Sequence, residues 1–165
     1  MQPVNFRSFR KKLSLYRQTY RSFLNSVTRL QPAGISKLSA ATVPEVWANV
    51  DCLTCANCCK KMTPTFTDKD VRRVAAHFNQ SPEAFRRQWL KKDRNQDWIN
   101  KTEPCQFLDM QTNMCSIYEV RPADCSGFPY LSKRNWADYA AIHKQNIDYC
   151  PATFKLVEKM YERFG

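Results

Sequence analysis

Four cysteines fall within eight residues of the stretch DCLTCANCCKK, residues 51–61: Cys52, Cys55, Cys58 and Cys59. No other feature of the chain restricts its local structure so strongly. A C-x2-C step lets a tight turn aim two sulfurs at one ion, at the roughly 2.3 Å of a zinc–thiolate bond. Here the step repeats directly, Cys52 to Cys55 and Cys55 to Cys58. Three cysteines so spaced also match the start of a cubane iron–sulfur motif, whose fourth ligand comes from elsewhere in the chain. Four more cysteines follow, Cys105, Cys115, Cys125 and Cys150, and Cys150-Pro151 has the Cys-Pro form seen at such a fourth position. Pro151 serves equally well as the first residue of a helix.

The adjacent pair Cys58-Cys59 poses a separate question. In an extended segment successive side chains point to opposite sides, so the two thiols are expected to have different destinations. Eight cysteines suffice for two four-ligand sites, or for one site with extra structural or reactive thiols. Spacing leaves the partition open, with the C-x2-C-x2-C run grouping Cys52, Cys55 and Cys58 with one distant cysteine. Buried lone cysteines are common, yet packing does not explain four in so short a window. Residues 1–30 carry bases throughout and no apolar signal core, so the expected compartment is the cytoplasm. There, clustered cysteines read as metal ligands or nucleophiles rather than disulfides. Cys59, followed by Lys60 and Lys61, is the candidate for a lowered thiol pKa. The two histidines, His77 and His143, lie in no recognisable catalytic context, and no H-E-x-x-H pattern marks a hydrolytic zinc site.

The rest of the chain supplies a core. Its 165 residues are 43% hydrophobic and 13% aromatic, enough for one ordinary domain. Only 3 glycines are present, so irregular loops must be fixed by something other than glycine turns. No apolar run approaches the roughly 20 residues of a membrane span. The formal charge of +11 is concentrated at the start: residues 1–44 contain Arg7, Arg10, Lys11, Lys12, Arg17, Arg21, Arg29 and Lys37 and no acid. Within them Phe6, Phe9, Leu13, Tyr16, Tyr20, Phe23, Val27 and Leu30 recur at spacings of three and four, the stripe of a long amphipathic helix. That stripe fits packing on the protein's own core, a coiled coil, or a basic helix on nucleic acid or an anionic membrane.

Residues 31–47 are small, polar and proline-containing, and read as a linker. The expected division is 1–47, a basic amphipathic N-terminal helix and linker, and 48–165, a cysteine-cluster metal-binding domain. Thr67 with Asp70 predicts a capped helix over 67–78, and Ser81 with Pro82 predicts another over 81–90. Residues 105–130 read as an extended hairpin, with Phe107 and Leu108 before a polar turn at Gln111–Asn113 and Ser116–Val120 as the returning strand. Two helical patterns close the chain, one through Trp136, Tyr139, Ala140 and 142–147, the other from Pro151 through Phe154, Val157, Tyr161 and Phe164. The fold class expected is mainly α with a short β-hairpin, a small irregular α+β domain stabilised by metal.

Three elements in order, CLTCANCC, CQFLD and CSIYEVRPADCSGFP, resemble the YkgJ family of cysteine-cluster proteins. Those proteins are mostly bacterial and are described as carrying a zinc- or iron-chelating domain. The resemblance runs from about Val50 to Cys150. It implies Cys52, Cys55, Cys58, Cys59, Cys105, Cys115 and Cys125 as metal ligands, with Cys150 as the late cysteine. The family pattern often has glycine after the second cysteine and arginine after the last motif cysteine; here these are Ala56 and Ser126. Alanine resists positive φ, so a left-handed turn there is expected to fall on Asn57. Arg121, before Pro122, is expected to be extended. Its guanidinium could reach a sulfur or pair with Glu119 or Asp124.

The family also resembles the cysteine-rich part of flagellin lysine N-methylase, which implies an alternative: a redox or methyl-transfer enzyme built on an iron–sulfur cluster. No glycine-rich nucleotide loop accompanies it. The leading expectation is a chelating protein that holds zinc, iron or an iron–sulfur cluster on its cysteines without catalysis of its own. A third is a protein or nucleic-acid partner bound through basic residues 1–30.

Overall fold

A computed structural model describes residues 3–165. Its order is α1 (Phe6–Leu30), α2 (Ile35–Asn49), α3 (Cys52–Cys55), α4 (Asn57–Lys61), β1 (Thr65–Phe66), α5 (Asp68–His77), α6 (Pro82–Trp89), β2 (Leu90–Lys92), β3 (Trp98–Asn100), a 3-10 turn (Tyr118–Val120), α7 (Ala123–Gly127), a second 3-10 turn (Trp136–Tyr139), α8 (Ala140–Asn146) and α9 (Pro151–Phe164). The protein is mainly α with short β elements. No helix among the described residues is long and apolar enough to cross a membrane. Two compact units divide the chain, Met1–Cys55 with Pro129–Gly165, and Ala56–Phe128. The N-terminal helices thus share a unit with the C-terminal third, whereas the sequence pattern suggested a division at residue 47.

In the first unit the aromatic stripe of α1 packs on the protein's own core. Phe9 and Tyr20 meet Phe154 of α9 at ring distances of 5.6 and 5.2 Å, and Phe23 meets Tyr161 at 5.6 Å. Leu24, outside the expected stripe, is fully buried, while Tyr16 and Leu30 within it are exposed. Three bases of the helix are used internally: Arg17 and Arg21 both reach Asp148, at 2.6 and 3.3 Å, and Lys12 reaches Glu158. The expected linker is a helix instead. Ile35, Val43 and Val46 of α2 are buried, and α2 packs on α9. Burial of these spaced apolar residues outweighs a weak local propensity and the hydrogen bond lost at Pro44. Pro151 opens α9 at its first turn, as expected.

The second unit holds the two capped helices. The Thr67 hydroxyl accepts from the Asp70 amide while the Asp70 carboxylate accepts from the Thr67 amide, closing a capping box. Ser81 caps α6, which starts at Pro82. These helices cover a core of Phe66, Val71, Val74, Phe85, Leu90, Phe107 and Ile117. The sheet is antiparallel in the order β1-β3-β2, with Phe66 opposite Trp98 and Leu90 opposite Asn100. The β-hairpin is therefore β2–β3, closed over 93–97, and not the expected 105–130. That segment keeps only its turn: one isolated bridge, Leu108 to Cys115, and the bond from the Ser116 amide to the Phe107 carbonyl at 2.8 Å. The anticipated strand at 116–120 ends in a 3-10 turn over Tyr118–Val120.

Candidate metal centre

The cysteine pair sits on a helical turn. Cys58 and Cys59 belong to α4, so their side chains diverge by about 100° rather than the 180° of a strand, and their sulfurs lie 3.9 Å apart. The expectation of opposite-facing thiols rested on an extended backbone and fails with it. Ala56 itself adopts the left-handed conformation, φ 45° and ψ 18°, at the N-cap of α4. Asn57, expected to take that role, is the first helical residue. The position where the family pattern has glycine is thus the one that needs positive φ.

Three further cysteines lie in the same unit as Cys59, and one of them is bonded to its backbone. The Cys105 amide donates to the Cys59 carbonyl at 2.8 Å, tying the two segments directly. The turn over 109–114 then returns the chain so that Cys115 pairs with Leu108. Cys105 and Cys115 both pack against the core of the second unit. Cys125 lies on α7, whose position is fixed from two sides. Asp70 Oδ1 accepts from the Ala123 amide at 3.1 Å, and Asp124 Oδ2 accepts from the Thr65 amide at 3.0 Å. Asp70 is almost fully buried and also receives Thr67 and Arg73. Burial opposes its ionisation, but those donors prevail and hold its pKa below the usual carboxylate value.

The charges of the four thiols are mutually linked. The hydrogen bond from Cys58 lowers the Cys59 pKa to about 7 against the opposing effect of burial, with Lys60 adding a smaller contribution. Lys60 thus acts in the direction expected, but the neighbouring thiol dominates. Burial pushes Cys105, Cys115 and Cys125 upward, and the Cys59 charge pushes each of them further. Cys125 also senses Cys105, Asp124 and Cys115. Neutral thiols predominate at these three positions, and a divalent cation would relieve the repulsion that opposes their deprotonation. The donor set therefore fits a thiophilic metal. No three His, Cys, Asp or Glu side chains among the described residues are arranged so as to hold a metal ion.

One group beside the set was not singled out from the sequence. Asn100, fully buried at the end of β3, donates its amide to Cys105 Sγ at 3.1 Å and accepts from Gln106. Only its neighbours Trp98 and Ile99 carry a strand signal; an asparagine at position 100 has no motif of its own. Arg121 is extended as expected, with ψ 151°. Its guanidinium lies 3.8 Å from the centre of the Tyr118 ring and donates to the Tyr118 carbonyl, while its charge lowers the Cys115 pKa.

The remaining cysteines belong to the first unit. Cys52 and Cys55 bound the single turn of α3, with Cys52 exposed and Cys55 buried. Cys150 is the N-cap of α9, its sulfur accepting the Thr153 amide at 3.5 Å. Burial raises the Cys150 pKa, and the Cys55 charge raises it further. Of the histidines, His77 is exposed and packs edge-on against Phe78. His143 is fully buried against Trp136, ring centres 4.9 Å apart.

Residues 51–151 match the CxxCxxCC family, described as a "Putative zinc- or iron-chelating domain". An uncharacterized protein of Methanocaldococcus jannaschii, MJ0661, is 30% identical over 83 residues, which cover 48% of this chain and 43% of that protein. The match thus spans less than half of that relative's length. No solved structure matches the chain. The family match takes in all eight cysteines and well over half of the sequence, and the chain belongs to the CxxCxxCC family.

Proposed function

We propose that the protein is a metal-chelating module that holds zinc or iron on cysteine thiolates. The observation that carries this reading is the presence of Cys59, Cys105, Cys115 and Cys125 within one compact unit, with Cys105 bonded to the Cys59 backbone and the half-buried Cys105, Cys115 and Cys125 thiols each sensing the charge of Cys59. Soft thiolate donors select zinc or iron–sulfur iron over hard cations such as magnesium or calcium. A bound divalent ion would supply positive charge to these thiolates. The protein's own part is to hold Cys105 against Cys59, to fix α7 through Asp70, and to aim the Asn100 amide at a sulfur.

Anaerobic purification followed by metal analysis tests this. Colourless protein with stoichiometric zinc assigns zinc. Brown protein absorbing near roughly 400 nm assigns an iron–sulfur cluster. Protein that takes up neither metal on its thiolates, while folded, overturns the reading.

A further inference from the structure

We infer that one flank of α1 is a docking surface for single-stranded nucleic acid, with Arg7, Arg10, Lys11 and Arg17 holding phosphates and Tyr149 taking a base. This surface lies apart from metal chelation and uses none of the cysteines.

The helix carries bases and no acid, since residues 1–44 contain none. At about 100° per residue, Arg7, Arg10, Arg17 and Arg21 fall within roughly 80° of one another around α1, and Lys11 stands roughly 40° beyond Arg7. At about 1.5 Å per residue, the row from Arg7 to Arg21 runs for about 21 Å along the axis. Arg7, Arg10, Lys11 and Arg17 are exposed. Lys12, Arg17 and Arg21 make the ion pairs of the helix. Among the described residues, Arg7, Arg10 and Lys11 have no carboxylate partner. The Asp148 carboxylate is shared by Arg17 and Arg21, at 2.6 and 3.3 Å. Its single charge leaves those three groups positive together, and Arg10 adds a further charge.

Beside this row lies a shallow groove of about 380 Å³, lined by Arg10, Leu13, Ser14, Arg17, Asp148 and Tyr149. Tyr149 is 37% exposed. Guanidinium groups and an aromatic ring in one groove suit a chain of phosphates with unpaired bases. Arginine pairs bidentately with phosphate oxygens, and a ring stacks on the face of any base. A duplex keeps its bases stacked on one another and leaves the ring without a partner.

A membrane surface is the competing polyanion, and the packing of α1 opposes it. An interfacial helix sinks its apolar face to the acyl boundary. Here that face, Phe9, Tyr20, Phe23, Leu24 and Val27, is buried in the protein. Its rings are engaged by Phe154 and Tyr161 of α9. What α1 leaves outside is mainly polar and basic, with Leu15, Tyr16 and Leu30 as its exposed large apolar residues.

Fluorescence anisotropy of a labelled oligouridine mixed with the full chain tests the inference. Binding is expected at low salt, with log K falling as log salt rises. Arg7→Gln, Arg10→Gln and Lys11→Gln together should weaken it about 10-fold or more and flatten the salt slope by about 2, at roughly 0.7 per phosphate contact on a single strand. A control set in the other unit, Lys69→Gln, Arg72→Gln and Arg94→Gln, removes the same charge and should bind as the unmodified chain does. A DNA duplex of equal length should bind more weakly than oligouridine, and Tyr149→Ser should remove that preference. Far-UV circular dichroism checks that each variant keeps its helices; if the α1 variant loses them, the duplex comparison and Tyr149→Ser decide. No oligouridine binding at low salt overturns the inference. So does an unchanged affinity in the folded α1 variant, an equal loss in the control, or a preference for duplex. Capture by phosphatidylserine vesicles with the same α1 dependence, and none of oligouridine, assigns the surface to lipid and overturns it as well.

Discussion

The Asn100 amide nitrogen lies 3.1 Å from Cys105 Sγ, and Asn100 has no exposed surface. A buried amide aimed at a sulfur stabilises thiolate over thiol and orients it. Such outer partners typically contribute 10–100-fold in metal affinity. Asn100→Leu is therefore expected to weaken metal binding by about 10-fold or more while leaving the α-helical content unchanged. Competition against a chromophoric chelator measures the loss; an unchanged affinity would show that this contact is structural only.

Asp70 couples helix capping to the placement of Cys125. Its carboxylate receives the Thr67 amide and hydroxyl, Arg73 and the Ala123 amide. Asp70→Asn replaces an acceptor-only group with one that presents two donors and takes from Arg73 its carboxylate partner, leaving its bonds to the Val120 and Arg121 carbonyls. A loss of about 2–4 kcal/mol is expected in urea unfolding, together with weaker metal binding through displaced α7. Because the native pKa is depressed, this stabilisation is complete above the unfolded carboxylate pKa and disappears as pH falls through the native value.

Ala56 occupies a backbone region that costs an L-residue roughly 1–2 kcal/mol. Glycine removes that cost but adds about 0.5–1 kcal/mol of unfolded-state entropy. Ala56→Gly is expected to raise stability by up to about 1 kcal/mol, seen as a higher melting temperature of the metal-loaded protein. A lower melting temperature would mean that packing of the buried Ala56 methyl outweighs the strain.

His143 is buried with neither ring nitrogen bonded to protein, and burial lowers its pKa to about 4. The unfolded histidine titrates near 6.5. Between these values the unfolded chain binds the extra proton, so native stability falls as pH drops from about 6.5 towards 4. Across that window the effect is on the order of 1–3 kcal/mol. His143→Gln removes the titration. The stability difference between variant and unmodified chain should therefore shift in the variant's favour from pH 7 to pH 5; a constant difference would refute the assignment.

What was legible in the sequence was local. Thr67–Asp70 and Ser81–Pro82 each declare a helix start within four residues, and both helices begin there. The α1 stripe declared a buried face because aromatic residues recur over its whole length. By contrast α2 has a helix-poor, proline-containing composition and is helical because Ile35, Val43 and Val46 are buried. Strands of two or three residues such as β1 and β3 are too short for alternation to register. Within the candidate site the cysteines were plain, but their grouping was not. It depends on the Cys105–Cys59 backbone bond and on the placement of α7, contacts between residues distant in the chain. Asn100 was invisible for the same reason.

The two units also differ in how the chain supplies them. Residues 56–128 are one uninterrupted stretch, whereas the helical unit is assembled from the segments on either side. During synthesis at about 5–20 residues per second, α8 and α9 emerge only after the last cysteine of the inner stretch. Phe9, Tyr20 and Phe23 must then wait for Phe154 and Tyr161 before their faces are covered. The inner stretch has every one of its own cysteines in place earlier. Vectorial synthesis thus lets the cysteines of the inner stretch meet first, while the aromatic face of α1 still lacks its α9 partners.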